Sequence, residues 1–193
     1  PKTTSELTVQ PVELLKSTAC LHIFVSLIAI SAIVYGTIIY LPIYLSTILG
    51  SDIIWNGFIL AIQAIGAALS AAFLMSPLTR QFGSLRLTAL SLGLMAMFLV
   101  LFPNLTSLWL LLFISGLFGL SFGLVTPSLY NILANLAPSH LQSSILATGI
   151  GAGFLGQFVS PLLLGPILSS KGLSGVFYSC AGLAIIIGLS IFL

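Results

Sequence analysis

Six stretches of this chain are each apolar and long enough to cross a lipid bilayer. They cover residues 19–41, 55–75, 85–102, 109–134, 141–168 and 176–193. A membrane-spanning helix needs roughly 20 apolar residues, within a range of about 17 to 25. Charged residues make up only 4% of the chain against 59% hydrophobic residues, whereas soluble domains carry about 25% charged residues. The sequence therefore predicts an all-α integral membrane domain with six transmembrane helices.

The polar segments place the boundaries of this domain. Residues 1–18 are polar and of mixed charge, and we expect them to be the end of a linker, so that residues 19–193 form the membrane domain. An extension of the first span past Pro42 to Leu49 is compatible with a membrane helix, because neighbouring helices can satisfy the freed backbone groups. The chain lacks an initial methionine and stops inside an apolar stretch, so we expect a piece of a longer protein.

The cations predict the orientation of the domain. Lys2 and Lys16 lie in the first tail, Arg80 and Arg86 lie between spans two and three, and only Lys171 lies on the other side. Cytoplasmic loops carry the excess of Lys and Arg, so both termini should be cytoplasmic. We expect a multi-pass protein of the plasma membrane, which in a bacterium is the inner membrane. Five dispersed cations form no patch for nucleic acid.

Several kinds of chemistry are not expected. Cys20 and Cys180 are too few and too far apart in sequence to predict a disulfide or metal site. Residues 172–175 read Gly-Leu-Ser-Gly, as in rhomboid intramembrane proteases, but both histidines, His22 and His140, precede Ser174 instead of following it. The catalytic base is therefore missing, and we predict no enzyme, no cofactor and no metal.

Glycine and proline are concentrated in spans four and five. Gly119 and Gly123 have the small-xxx-small spacing that lets two helix backbones approach closely. Span five is richer still, and its glycines and prolines favour a bundle whose helices slide and bend, although close packing in a static bundle remains the alternative. The residues of this motif in span five are Gly149, Gly153, Gly156, Pro161 and Gly165.

These patterns together resemble the carboxyl-terminal six-helix half of a major facilitator superfamily transporter. Residues 40–45 are similar to the end of the seventh helix of that family, and residues 156–165 are similar to the symmetry partner of the antiporter Gly-Pro motif. Residues 76–86 resemble a degenerate copy of the loop Gly-x-Leu-Ala-Asp-Arg-x-Gly-Arg-Arg, in which Gly83 and Arg86 match. Arg80 stands at the aspartate position, so the charge contacts of that aspartate are not expected here.

The resemblance implies a secondary active transporter that works by alternating access with an amino-terminal six-helix half of the same polypeptide. Its other partners would be a small-molecule substrate and the lipid bilayer. Among such proteins the chain is most similar to drug-efflux members, for which proton coupling is common. All charged residues can be placed at span ends, so a proton-binding group would lie in the other half. The alternatives are an uptake porter for a small neutral metabolite, and a six-helix channel or scaffold that does not transport.

Uncharged polar residues are the candidates for a substrate cavity, because in this family the first and fourth helices of each half face it. An apolar, aromatic and uncharged half-cavity favours a lipophilic or cationic substrate. For the amide side chains the alternative is a hydrogen bond between helices, and the sequence leaves open which face of span four points inward. Four aromatic residues, Tyr40, Tyr44, Trp55 and Trp109, are expected near the outer membrane surface. The cavity candidates are Ser31, Tyr35, Gln63, Thr126, Tyr130, Asn131 and Gln157.

Overall fold

The computed structural model describes residues 17–192, and within that range it is helical, with no β-strand. Most of the predicted linker, residues 1–16, lies outside the described residues. Five of the helical segments are long and apolar enough to cross a membrane, which confirms the predicted all-α membrane class. The helices are α1 (Thr18–Ile48), α2 (Ile53–Leu69), α3 (Met75–Phe82), α4 (Ser84–Leu101), α5 (Leu108–Leu136) and α6 (Gln142–Phe192).

Helix α1 begins at a serine cap and continues through its proline. The Ser17 hydroxyl accepts a hydrogen bond from the backbone N–H of Cys20 at 3.3 Å, which satisfies one of the free donors of the first turn. The helix passes Pro42 and ends at Ile48. The extension that the sequence allowed is therefore present.

Helices α2 and α3 form one continuous span of 30 residues, Ile53–Phe82, joined by a π-helical turn at Ser70–Leu74. This span is longer than the predicted 55–75. It ends at Gly83, whose φ of 77° and ψ of 156° fall in a backbone region that is essentially restricted to glycine. Gly83 therefore sets the turn from α3 into α4, as the loop motif implies.

Helix α6 is broken near its middle. Its 51 residues would extend about 76 Å if straight, far more than the bilayer core of about 30 Å. Gly172 interrupts it, with a φ of 68° and a ψ of −172°. A Cβ atom added to Gly36 would lie beside both Leu164 and Cys180, which would be about 24 Å apart on a straight helix. The two arms, residues 142–171 and 173–192, therefore lie side by side.

The break at Gly172 corrects one expectation. The predicted gap between spans five and six, residues 169–175, is not a separate loop, because only Gly172 leaves helical geometry. A single glycine is enough to reverse the chain because it can adopt the positive φ that other residues avoid. The count of six spans stays a prediction, which the folded-back arms of α6 favour.

The helices pack in pairs around one apolar core. The most extensive contacts join α1 with α6 and α2 with α5, and α4 lies against α5 and α6. At the end of the bundle opposite Gly83, Phe102 contacts Phe118 and Phe177 with ring centroids 5.7 Å apart in both pairs. These rings are fully buried and fix how α4, α5 and the second arm of α6 meet.

Two tyrosines of α1, both expected near the outer membrane surface, are packed into this core. Tyr40 and Tyr44 are only 5% and 4% exposed. The Tyr44 hydroxyl donates to the backbone carbonyls of Pro103 or Leu105, at 3.2 and 3.3 Å. The loop after α4 therefore satisfies this hydroxyl inside the bundle.

Large apolar side chains cover the outside of the bundle. Trp109, Phe158 and Phe73 are each 70% exposed or more. Exposing so much apolar surface to water would be unfavourable, whereas lipid tails solvate it. The exterior therefore agrees with a domain surrounded by lipid.

Candidate functional site

The interface between α2 and α5, named here the α2–α5 seam, is closed by backbone contacts. A Cβ atom added to Gly119 would meet the backbone carbonyl of Gln63, and one added to Gly123 would meet the carbonyl of Ala67. Gly66 is equally close to the carbonyl of Gly116. No side chain fits at these positions, so the two helix backbones touch along more than one turn, as small residues allow in membranes.

The interface between α1 and the first arm of α6 is named the α1–α6 seam, and its contacts are mixed. A Cβ atom at Gly156 would meet the backbone carbonyl of Ile28. Four residues further on, the Ser160 hydroxyl donates to the backbone carbonyl of Ala32 at 2.7 Å. A Cβ atom at Gly149 would meet side-chain carbons of Leu133 in α5, at 2.8 Å, and of Leu27 in α1, at 3.3 Å.

Helices α1, α5 and α6 meet at Gly153, which lies in the α1–α6 seam. A Cβ atom at Gly153 would lie 3.2 Å from the Ser31 hydroxyl of α1 and 3.7 Å from the Tyr130 hydroxyl of α5. Ser31 and Tyr130 are both half-buried. We call Ser31, Tyr130 and Gly153 the polar junction, because it brings two hydroxyl groups together between apolar helices.

Three further candidates lie one helical turn from members of the polar junction. Tyr35 follows Ser31 by four residues, Thr126 precedes Tyr130 by four, and Gln157 follows Gly153 by four. Residues four apart lie on the same face of a helix. Tyr35 and Thr126 are half-buried and Gln157 is exposed, so these side chains extend the polar face along α1, α5 and α6.

Asn131 lies apart from this group. Its side-chain amide donates to the Ser84 hydroxyl at 3.0 Å, at the start of α4. On the same side of α5, the Ser128 hydroxyl contacts the sulfur of Met75 in α3 at 3.5 Å. This face of α5 therefore supports the turn between α3 and α4, and the other face, with Thr126 and Tyr130, points to the polar junction.

Gln63 lines a separate cavity of about 190 Å³ on the side of the α2–α5 seam that α1 covers. The residue is 7% exposed, and its Nε2 atom has no hydrogen-bond partner among the described residues. Buried polar atoms are normally paired, so an unpaired amide nitrogen in a cavity wall needs an explanation. The lining residues are Val34, Ile38, Leu60, Gln63, Ala64, Ala67, Phe118, Gly119 and Phe122.

The opposite side of the same seam is apolar. A groove of about 450 Å³ runs there between α2 and α5, with Trp109 and Phe113 at one end. Trp109 is the only lining residue with a polar side-chain atom. Each side of the seam therefore has a single lining residue with a polar side-chain atom, Gln63 on one side and Trp109 on the other. The two differ in environment, because Gln63 is buried whereas Trp109 is 73% exposed.

Among residues 17–192, no charged side chain lies in the polar junction or lines the Gln63 cavity. The charged residues within 17–192 are Asp52, Arg80, Arg86 and Lys171, and all four are exposed beside helix ends or turns. In the same range, no three His, Cys, Asp or Glu side chains come together as metal ligands would. The site offers hydroxyl groups, amides and aromatic rings, which suit binding better than covalent chemistry.

The last motif residues are Pro161 and Gly165, in the first arm of α6. Pro161 is exposed, and a Cβ atom at Gly165 would have no neighbour within 4 Å. Close packing therefore does not explain Gly165, unlike Gly149, Gly153 and Gly156. Pro161 removes a hydrogen bond from the helix ladder, as prolines do inside helices.

Sequence reasoning missed some of the residues that hold the site together. Gly36, Gly66, Gly116 and Ser160 were not among the candidates, yet each lies in a helix contact. One signal was available: positions 149, 153, 156 and 160 of span five are all small and are spaced four, three and four apart, which is the repeat of a helix seam.

Comparison with models of protein families gives a match for this chain. The family model described as Major Facilitator Superfamily matches residues 13–193, nearly the whole chain. A search of curated proteins finds no match.

Proposed function

Since the chain belongs to the major facilitator superfamily, we propose that it carries half of the substrate path of a drug-efflux transporter. Members of this family are secondary transporters, so the chain acts in membrane transport and not as an enzyme. The proposed substrate is a lipophilic compound, neutral or cationic. It would be exported by alternating access, in which two six-helix bundles rock around a site near the middle of the membrane.

The polar junction is the observation that carries this proposal. Ser31 and Tyr130 are half-buried hydroxyl groups where three helices converge, and Tyr35, Thr126 and Gln157 continue their faces. Uncharged polar groups in an apolar surrounding are typical of small-molecule sites. Without a cation beside them, a phosphorylated substrate would lack the charged donors that such groups need.

The proposed partner of the polar junction is the amino-terminal half of the same polypeptide. We propose that this half covers the open side of the junction and supplies the group that binds a coupling proton. The absence of any charged side chain from the junction and the Gln63 cavity, among residues 17–192, supports this division. An ionisable group inside a membrane is costly and is usually kept for such a role.

The glycines and prolines of α6 suit the proposed movement. Gly153 meets the end of a side chain instead of backbone, and Gly165 has free space around it. We propose that the first arm of α6 bends near Pro161 as access alternates, because proline is a common cause of helix kinks. The turn at Gly83, with Arg86 exposed beside it, would act as the joint between α3 and α4.

Transport by the full-length protein tests the proposal. The protein is reconstituted in proteoliposomes, a pH gradient is imposed, and movement of the fluorescent cation ethidium is followed. We expect ethidium to move against the proton gradient, and we expect Gly153→Leu to reduce the rate by about tenfold or more, because the new side chain would fill the polar junction. Gly151→Leu is the matched control, since Gly151 lies in the same arm, outside the glycine–proline motif, and nothing among the described residues lies within 4 Å of its Cβ position.

Two results would contradict the proposal. One is a full-length protein that moves ethidium in neither direction under either gradient. The other is a rate that falls equally with Gly153→Leu and Gly151→Leu, because the polar junction would then have no special part in transport. Uptake of small neutral sugars or amino acids by a protein that does not move ethidium would favour the uptake-porter alternative.

A further inference from the structure

The Gln63 cavity combines a defined volume of about 190 Å³ with a buried amide nitrogen that has no hydrogen-bond partner among the described residues. We propose that it binds one uncharged six-membered ring of the transported molecule, and that a hydrogen-bond acceptor on this ring pairs with the amide of Gln63. The proposal rests on the proposed function, because the rest of the molecule would lie against the polar junction. It narrows the substrate class to compounds with an aryl ring that bears a carbonyl or ether oxygen.

The size and walls of the cavity fit one ring. Its volume is about 190 Å³, and an apolar protein cavity of about 150 Å³ holds a benzene molecule. Phe118, which is 2% exposed, and the half-buried Phe122 supply aromatic surface from α5, and Leu60 supplies an aliphatic wall from α2. Aromatic rings pack against one another in offset or edge-on geometry, so a flat ring is a favourable occupant.

The amide of Gln63 supplies the polar contact. Its nitrogen is enclosed without a partner, and leaving a buried donor unpaired is unfavourable. The last torsion of a glutamine side chain is broad, so the amide can turn its donor toward the cavity. A ligand oxygen placed there would accept the hydrogen bond that no described residue provides.

The same cavity disfavours a charged group. None of its lining residues is charged, and an unpaired charge is costly to bring out of water. A cationic substrate would therefore keep its charge outside, near the hydroxyl groups of the polar junction. The two sites are connected along the helices: Ile38 lies seven residues after Ser31 on α1, and Phe122 lies four residues before Thr126 on α5.

Protection of an introduced thiol tests the inference on the full-length protein. Ala64→Cys places a thiol in the cavity wall, and Ala68→Cys places one a turn away, outside the lining. The natural Cys20 and Cys180 are 0% and 3% exposed, so they should react slowly. The rate of alkylation by N-ethylmaleimide is measured with acetophenone and with its isostere α-methylstyrene, which lacks the oxygen.

We expect acetophenone to protect Ala64→Cys at about a threefold to tenfold lower concentration than α-methylstyrene, as one net hydrogen bond predicts. The added change Gln63→Leu should remove this difference, and Ala68→Cys should be protected by neither compound. Equal protection by both compounds would overturn the role of the amide, and no protection by either would overturn the ring site. These readouts do not depend on transport, so a protein that moves no ethidium but is selectively protected would refute the proposed function and leave this site standing.

Discussion

The two seams of this bundle use the same small residues in different ways. In the α2–α5 seam, Gly66, Gly119 and Gly123 each face a backbone carbonyl of the other helix. In the α1–α6 seam only Gly156 does so, while Gly149 and Gly153 face the ends of side chains. Backbone carbonyls held in a helix ladder cannot move aside, whereas side-chain ends can rotate.

This difference divides the bundle into a rigid part and an adjustable part. The α2–α5 seam fixes the distance between two helices and presents a wall to the Gln63 cavity. The α1–α6 seam holds the polar junction, where Ser31 and Tyr130 can change position without separating the helices. Glycine count alone would not distinguish the two seams, because the distinction lies in what each glycine touches.

The largest effect on stability is expected from Gly119→Ala. The new methyl group would meet the backbone of Gln63, so the helices must separate. Overpacking of this kind costs about 2 to 3 kcal/mol in the free energy of unfolding. Titration with SDS in mixed micelles measures this loss in the full-length protein.

Gly93→Ala is the control for this change, since nothing lies within 4 Å of its Cβ position and alanine favours a helix. If Gly119→Ala were as stable as Gly93→Ala, the α2–α5 seam would not be rigid.

A comparable loss, about 2 kcal/mol in the free energy of unfolding, is expected from Gly156→Ala. Gly156 is the one glycine of the α1–α6 seam in contact with backbone, at the carbonyl of Ile28. The same SDS titration measures the loss. A change near zero would show that α1 and α6 can move apart at Gly156. The whole α1–α6 seam would then be adjustable, including its backbone contact.

Gly153→Ala should leave the free energy of unfolding almost unchanged. The Ser31 hydroxyl lies 3.2 Å from the added atom and can rotate away, and alanine gains up to about 1 kcal/mol in helix propensity over glycine. The thermal midpoint of the purified protein, compared with that of Gly156→Ala, measures the difference. A loss as large as that of Gly156→Ala would erase the distinction between side-chain and backbone contacts.

Ser160→Ala should cause a small loss in the free energy of unfolding. This change removes one hydrogen bond to the carbonyl of Ala32, and such bonds between membrane helices contribute about 0.6 kcal/mol. Ser169→Ala is the control, because the Ser169 hydroxyl bonds only to Pro166 in its own helix. Equal unfolding free energies for the two variants would mean that glycine contacts alone hold the α1–α6 seam.

Hydrophobicity and spacing were enough to predict the fold class from the sequence. Apolar length predicted the membrane helices, and the family resemblance is supported by the match over residues 13–193. The narrowness of the break between spans five and six could not be predicted, because a single glycine with positive φ replaces the loop that polar residues usually form. The burial of Tyr44 was missed because its partners, the carbonyls after α4, are distant in sequence.

The candidate site was predictable only as a set of residue types. Ser31 and Tyr130 come together because Gly153 lets three helices meet, and this contact joins residues about a hundred positions apart. The face of α5 that points to the junction is identified by the hydrogen bond from Asn131 to Ser84 at the start of α4, which lies on the other face. Neither fact follows from helical periodicity alone.

The central claim, that the face around the polar junction opens to each side of the membrane in turn, is tested most directly by a cysteine at Thr126. The full-length Thr126→Cys protein is treated with a membrane-impermeant maleimide from one side of sealed vesicles and then, separately, from the other. We expect the thiol to react from both sides, and Phe113→Cys, in the apolar groove on the other side of the α2–α5 seam, to react from neither. Reaction of Thr126→Cys from one side only, or from none, would contradict the claim.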